Sequence, residues 1–538
     1  SQYVHRSRDE GKTWQIISPD LTTNRPEQQH LDYGGLTPDA SGAEFYNCLL
    51  SIAPSPLDEQ VIWTGSDDGR IHVTTDGGKN WTAVEKNIKG MPEGAWVARI
   101  IASEHEASTA WAVVNDYRRG NYAPYLFKTD DYGRSWTSRV EEESPVYGYS
   151  LSFIQDPEEP ALCFLGTENG LWVSFDEGEN WEVFGQGFPA VSTMDLKIQR
   201  AESALVIGTF GRAVWVVDDL LSLRELAGDR LGNGLTALPV NDAVQVKGLF
   251  IRPTGTIWNG FHTIFQGDNR PFWHTPIPYY ISEVTPGAEV TAVVISAVGD
   301  TLQTLASTVW EETPMGPALV AADSGYAPAV GLHYLDWQLD QAITPLPRSW
   351  GSRGIAVLPG TYRVVIRYGE ATDETTVTVL ADPRYDFDPF VDRDLYQAQI
   401  YLNGRREQLM GLLETLDEQR EKVDKLRTSL LESDNTVMLT HAETMLLKID
   451  SIKHLALGKP VLKQVGAYQS FEVTPISTLR AMEQKFMSAH ARLSDQELTL
   501  LREAARGVES FALLVDAYQR ETWEPFVEEV KEMGVVWE

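Results

Sequence analysis

A mainly β chain that ends in helices is what this sequence predicts, and three observations carry the prediction. Nearly the same eight residues recur four times: Ser7–Trp14 (SRDEGKTW), Thr74–Trp81 (TTDGGKNW), Thr129–Trp136 (TDDYGRSW) and Ser174–Trp181 (SFDEGENW). Each later copy closes a longer unit of two alternating apolar strands joined by a tight turn, as in VIWTGSDDGRIHVTTDGGKNW from Val61 and ALCFLGTENGLWVSFDEGENW from Ala161. Beyond Pro389 the apolar spacing changes from about 2 to about 3.6 residues, the period of a helix. Self-similarity at intervals of tens of residues marks a repeat architecture.

The eight-residue copy has the chemistry of a hairpin turn. Its third place is Asp (Asp9, Asp76, Asp131, Asp176), whose carboxylate can accept backbone N–H groups of the turn. Its fifth place is Gly, which takes positive φ without strain. Its eighth is Trp (Trp14, Trp81, Trp136, Trp181), a large apolar face to lay between neighbouring sheets. One further strand precedes each unit: FYNCLLSIA, WVARIIAS, YGYSLSFIQ and MDLKIQ. Four strands per unit make the blade of a β-propeller. The unit at Thr109–Trp136 carries a longer middle loop, and ALVIGTFGRAVWVVDDL from Ala204 has strands but no box, as a closing unit would. The first copy begins at what should be the third strand of its blade. The reading expects a chain that is the C-terminal part of a longer polypeptide, with the remaining blades upstream or in another chain.

Residues 1–222 are therefore read as propeller blades. Residues 239–385 carry strand, turn and strand at sandwich spacing (EVTAVVISA, LHYLDWQLD, LPGTYRVVIRYGEATDETTVTVLADP) and are read as an immunoglobulin- or fibronectin-like β-sandwich. Residues 389–538 read as a helical bundle, with further stretches at 437–457, 475–492 and 494–534 and a capping box at Ser494–Glu497.

Composition narrows the function. With 45 Lys and Arg against 77 Asp and Glu, the net charge of −32 opposes binding to nucleic acid or an anionic membrane. The 16 Trp suit a repeat that uses Trp as a spacer. Cys48 and Cys163 both lie in apolar strand-like runs and read as buried thiols rather than a disulfide. No apolar run approaches the ~18 residues of a membrane span. The ten His are scattered without zinc spacing, and no nucleophile elbow, phosphate loop or dinucleotide fingerprint occurs. No cofactor is expected; structural calcium is conceivable from the many Asp, although no EF-hand spacing appears.

The eight-residue copies resemble the Asp-box (BNR) repeat of sialidase-like and sortilin-like propellers. The order of propeller, Ig-like domain and helical tail resembles large bacterial secreted proteins of the sortilin-like or "glycosyl hydrolase, BNR repeat" family, with matches at Tyr3–Asn24, Ser55–Gly69 and Gly208–Asp219. The resemblance implies a secreted or cell-surface protein with an upstream signal peptide and more blades.

In a four-stranded blade the Asp-box joins strands three and four, so the turns between strands two and three gather on the opposite face with the links between blades. That face is the usual propeller binding site, by fold-level analogy. It would carry Asp67, Asp68 and Arg70; Asp116, Tyr117, Arg118 and Arg119; Glu168; Phe210 and Arg212; and, from the links, Glu44, Tyr46, Trp96, Arg99, Tyr147 and Tyr149. Carboxylates, guanidinium groups and aromatic rings at one rim suit a glycan or an extended peptide. Asp68-Gly69 and Asn169-Gly170 equally suit type I′ turns. The leading expectation is a binding and scaffolding protein. The alternatives are a glycosidase on extracellular polysaccharide, which needs two carboxyls about 5 or about 6.5–9.5 Å apart, and a structural subunit of an envelope assembly contacting protein partners through its sandwich and helices. No Arg-Ile-Pro motif of the sialidase kind precedes the boxes.

Overall fold

The computed structural model describes residues 1–29, 46–184, 188–245, 275–306, 308–313, 316–321, 328–347, 354–383, 387–431, 435–458, 472–487 and 492–532. The chain divides into two compact units, Ser1–Asn233 and Gly234–Glu538.

The first unit is a series of five antiparallel sheets in chain order. Sheet I pairs β1 (His5–Arg6) with β2 (Gln15–Ile16). Sheet II holds β3 (Leu49–Pro54), β4 (Ile62–Ser66), β5 (Ile71–Thr74) and β6 (Thr82–Ala83). Sheet III holds β7 (Trp96–Ala102), β8 (Ala110–Asp116), β9 (Asn121–Thr129) and β10 (Thr137–Ser138). Sheet IV holds β11 (Ser150–Gln155), β12 (Cys163–Thr167), β13 (Gly170–Ser174) and β14 (Glu182–Val183). Sheet V stops at three strands, β15 (Thr193–Gln199), β16 (Ala204–Thr209) and β17 (Val214–Val217).

Period-two alternation turns these strands into spacers between sheets. In β8, Trp111 and Val113 pack toward sheet IV while Ala112 and Val114 pack toward sheet II. In β12, Cys163 and Leu165 pack toward sheet III and Phe164 toward sheet V. Sheets III and IV are thus apolar on both faces, and consecutive sheets stack as propeller blades do.

The first strand of each of sheets II to V carries the same irregularity. The pairing register shifts between Leu49 and Ser51, Val97 and Arg99, Ser150 and Ser152, and Thr193 and Asp195. A bulge re-aims the residue that follows it. Ser51 then accepts the Ile100 N–H at 3.0 Å, and Ser152 donates to the Thr193 carbonyl at 2.9 Å, so each hooks the first strand of the next sheet. Opposite them lie Gly65 and Gly166. A Cβ on Gly166 would stand 2.2 Å from Ser152 Oγ, and one on Gly65 would stand 2.5 Å from Val97.

The Asp-box turns repeat bond for bond. The first-place hydroxyl accepts the Gly N–H: Ser7 at 2.7 Å, Thr74 at 3.0 Å, Thr129 at 2.9 Å and Ser174 at 2.8 Å. The Asp accepts the backbone N–H of the seventh residue through one oxygen and its side chain through the other, at 2.6–2.8 Å for Thr13, Asn80, Ser135 and Asn180. Fourth and fifth places both take positive φ, as at Tyr132 (60°) and Gly133 (81°).

The tryptophans do not behave alike. Trp136 and Trp181 are buried, and Trp181 donates to the Arg139 carbonyl of the preceding sheet's end at 2.7 Å. Trp81 is half-buried and donates to the Ile17 carbonyl at 3.0 Å. Trp14 is 64% exposed and bonds its own turn, at Gly11. Among the described residues the spacer contact expected of all four is seen at Trp81, Trp136 and Trp181, and no described sheet packs on the outer side of Trp14.

After β17 the helix α1 (Leu220–Ala227), capped by Asp219, buries Leu220 and Leu223 between sheets IV and V. Its buried Arg224 donates to Asp156 at 3.0 Å and to Glu158 at 2.8 Å.

The second unit opens with β18 (Leu235–Ala237), β19 (Ala243–Gln245), β20 (Thr275–Ile281), β21 (Val290–Ile295), β22 (Thr301–Ala306), β23 (Thr308–Thr313), β24 (Gly316–Ala321), β25 (Gly331–Trp337), β26 (Asp340–Gln341), β27 (Ile355–Ala356), β28 (Gly360–Tyr368) and β29 (Ala371–Ala381). The sheet β18-β20-β25 and the sheet β19-β29-β28-β21-β22 share one core, in which Ile277, Tyr279 and Trp337 meet Val294, Val364 and Val377. β19 runs parallel to β29, the one parallel pair among the described strands. The stretch 246–274 lies outside the described residues.

Helices follow: α2 (Pro389–Leu430), α3 (Thr436–Leu457), α4 (Pro475–Met487), α5 (Asp495–Tyr518) and α6 (Glu524–Glu532). Asp388 caps α2 ahead of Pro389, and the Ser494–Glu497 capping box starts α5 as its sequence predicts. Leu346, from the segment after β26, enters the helical core beside Leu409 and Leu479. Cys163 is buried and Cys48 half-buried, and the two are not joined in a disulfide.

A ring-lined face on sheets II to IV

The turn between β8 and β9 is a short 3-10 segment, Tyr117–Arg119, closed by Gly120 in the left-handed region at φ 83°. It lifts Tyr117 and Arg118 over the links on either side. The Arg118 guanidinium lies 3.4 Å from the Trp96 ring centroid and 4.4 Å from that of Tyr117. Tyr117 stacks on Tyr149 at 4.2 Å with the planes 20° apart, and Tyr122 stands 6.3 Å from Tyr149. On the other flank Tyr46 stands 6.4 Å from Trp96. A line of rings and one guanidinium therefore runs from the link before sheet II, across sheet III, to the link before sheet IV.

Arg118 is exposed and, among the described residues, forms no ion pair; the two ring faces hold it by cation–π attraction. Arg119 turns away to Asp116, 2.5 Å from Nε to Oδ1. Tyr122 and Tyr147 are more than half exposed, and Tyr147 meets Trp172 edge to face at 5.3 Å. Burial raises the Tyr149 phenol above its ordinary value, helped by the Glu168 charge, so it stays a hydrogen-bond donor.

Other residues expected at this rim have different work. Asp67 and Asp68 are buried, 4% and 6% exposed. Asp67 accepts the Cys48 N–H at 2.8 Å, and its own carbonyl accepts the Tyr46 hydroxyl at 2.8 Å. Asp68 accepts the Thr23 N–H and hydroxyl, both at 2.6 Å, and the buried Asn47 amide at 2.9 Å. The pair ties both ends of the link between sheets I and II to one turn. Burial, with Asp68 alongside, pushes the Asp67 carboxyl up to about 6, against the opposing bond from Cys48. The type I′ turn expected at Asp68-Gly69 is not formed, since Gly69 takes φ 84° while Asp68 keeps negative φ, held by its carboxylate bonds. Asn169 likewise keeps negative φ ahead of Gly170.

Arg70 pairs with Glu85. Arg99 points between the first strands, 3.6 Å from Asp195. It lines a cavity of about 260 Å³ with Ser51, Glu104, His105, Asp195 and Lys197, toward the Asp-box end of the sheets. The Glu168 carbonyl accepts Ser192 at 3.1 Å, while Phe210 and Arg212 stand exposed on sheet V. Glu44 lies outside the described residues.

Asp195 and Lys197 escaped the sequence reading, although alternating charges in MDLKIQ mark two side chains facing away from the apolar core. The polar seventh place of the boxes escaped it too, and Thr, Asn, Ser and Asn recur there. Among the described residues no group of three or more His, Cys, Asp or Glu could hold a metal ion, and no helix is long and apolar enough to cross a membrane.

No protein-family model matches the chain, and no curated protein matches it. Among solved structures it is similar to YCF48 from Cyanidioschyzon merolae, at 16% identity and TM-score 0.24, covering 32% of this chain and 54% of that one. It is similar to YCF48 bound to D1 peptide, at 14% identity and TM-score 0.27, covering 45% and 69%. An ancestral GH74 enzyme aligns at 14% identity and TM-score 0.30, covering 69% and 50%. The chain thus spans about half the length of the first and third of these, at 54% and 50%. The sheet geometry above, rather than these overlaps, carries the architecture.

Proposed function

We propose that this is a secreted or cell-surface propeller protein that binds an extended ligand, a glycan or a peptide, across the ring-lined face of sheets II to IV. The observation that carries the reading is the unbroken line Tyr46, Trp96, Arg118, Tyr117, Tyr149 and Tyr122. Rings offer flat apolar faces to sugar or side-chain planes, and Arg118 offers donors already oriented before a ligand arrives, which lowers the ordering cost of binding. The nearby carboxylates Asp67, Asp68 and Asp116 are committed to bonds within the fold, which favours binding over hydrolysis. In the second unit, Tyr362 donates back to the Leu358 carbonyl at 2.6 Å, which supports a fibronectin- or immunoglobulin-like sandwich beside the helical bundle.

Glycan and peptide arrays probed with the full chain test the reading. Arg118→Ala and Tyr149→Ala should each weaken any hit by about 1–3 kcal/mol, roughly five- to 150-fold in Kd. A hit of full strength in both variants, or no hit on either array, would overturn it.

A further inference from the structure

Arg118 carries a charge that its surroundings place with care and leave without a counter-ion. The Trp96 and Tyr117 rings hold its guanidinium, at 3.4 and 4.4 Å from their centroids. Stacking uses the faces of a guanidinium and leaves the N–H donors, which lie in its plane, available to a ligand. The carboxylates around it are occupied. Asp116 holds Arg119, Glu85 holds Arg70, Asp67 holds the Cys48 N–H, and Asp68 holds Thr23 and Asn47. Glu93 bears on Arg119.

The rest of the line is neutral and hydroxylated. Tyr117, Tyr149 and Tyr122 follow one another along it, and a phenol both donates and accepts hydrogen bonds, as a sugar hydroxyl does. Tyr122 and Tyr147 are 58% and 53% exposed, so their rings are open to a ligand. One acid stands at the far end, Glu168, whose charge acts on Tyr149. The face therefore has a cation beside Trp96, hydroxyls along its middle and a carboxylate beside Tyr149.

We propose that the ligand of this face is a glycan bearing one carboxylate, which seats on Arg118 while neutral sugars lie along Tyr117, Tyr149 and Tyr122. The assignment rests on the reading of this face as a binding site, and adds what the ligand must carry. A guanidinium edge can take both oxygens of a carboxylate at once. One cation matches one acid. A second acid farther along would meet Glu168, and each added acid works against the net charge of −32. Peptides fit less well, since an extended peptide is held by main-chain pairing along a free strand edge and an acidic one by clustered arginines. This line crosses from the link before sheet II to the link before sheet IV instead of following a strand. Among the described residues, Arg118 is the one guanidinium on it without an acid.

Titration calorimetry on the full chain tests the proposal, with a panel of oligosaccharides that each carry one uronate, each paired with its carboxyl-reduced form. The expected result is an acidic member bound about tenfold or more tighter than its reduced partner, the range of a charge-assisted hydrogen bond. Arg118→Ala should bind both members alike, at the level of the reduced one, and Arg118→Lys should recover part of the difference. Arg118 is exposed, so circular dichroism should be unchanged in both variants. An oligosaccharide with an acid on every sugar should bind no tighter than one with a single acid. Equal binding of acid and reduced forms by the wild-type chain would overturn the carboxylate while leaving the face a glycan site. A preference for the acid that survives in Arg118→Ala would overturn the role of Arg118. Binding of acidic peptides alone would overturn the glycan, and binding of neither class would overturn the reading of the face itself.

Discussion

The Asp-box of sheet I and that of sheet IV have the same internal bonds and opposite fates. In both, a Ser hydroxyl takes the Gly N–H, and one Asp holds the seventh residue twice. Yet Trp181 is 4% exposed and Trp14 is 64% exposed. Every bond that shapes the turn joins residues no more than four apart, so the turn forms whatever surrounds it. The tryptophan depends on a neighbouring sheet 40 or so residues earlier, as when Trp181 reaches Arg139. Local chemistry writes the turn, and the neighbour decides what the turn is for.

The comparison can be broken at the ring. Trp181→Ala should cost about 3–5 kcal/mol by chemical denaturation, since it empties a site between two sheets. Trp14→Ala should stay within about 0.5 kcal/mol, as for most exposed positions. Equal costs would mean that the stacking of sheets contributes little.

A smaller effect separates sheet IV from sheet V at their matching glycines. Gly166→Ala places a methyl 2.6 Å from the Thr193 carbonyl, whereas Gly208→Ala meets nothing nearer than 3.6 Å. The first should lose about 1–3 kcal/mol by overpacking and the second should be near neutral, read as melting temperatures side by side. A tolerated Gly166→Ala would show that sheets IV and V slide apart readily.

The smallest effect contrasts two aspartates of sheet II by pH. Asp76, in the box, is held down to about 2 by the N–H and side-chain bonds of Asn80, so its contribution is present above the ordinary 3.8 and is lost as pH falls through about 2. Asp67, in the opposite turn, is raised to about 6 by burial. Its contribution is therefore full below 3.8 and is lost as pH rises through about 6. Asp67→Asn keeps an acceptor for Cys48 without the buried charge, and should flatten the melting temperature between pH 4 and 7 while raising it at pH 7. A variant whose melting temperature still falls over that interval would assign the effect to another group.

The box turns, the alternation of β8 and β12 and the capping box of α5 were legible in the sequence because each depends on residues a few places apart. The binding face was legible only in outline. Tyr117, Arg118 and the link aromatics could be named, but not that Arg118 would lie between two rings from different segments. Asp67 and Asp68 read as turn formers or ligand groups, and neither reading foresees that they hold links 19 to 45 residues away. Asn47 at that junction, with φ 67°, carries no local signal at all.

By itself, then, the sequence determined the repeated turn, the two-sided strands and the change from sheets to helices, since short-range hydrogen bonds and periodicity are properties of neighbours in the chain. Only the tertiary structure decided which tryptophans are spacers, which carboxylates are buried ties and which rings form one surface. Those outcomes depend on burial and on contacts between sheets, and no stretch of chain contains its own neighbour across the core.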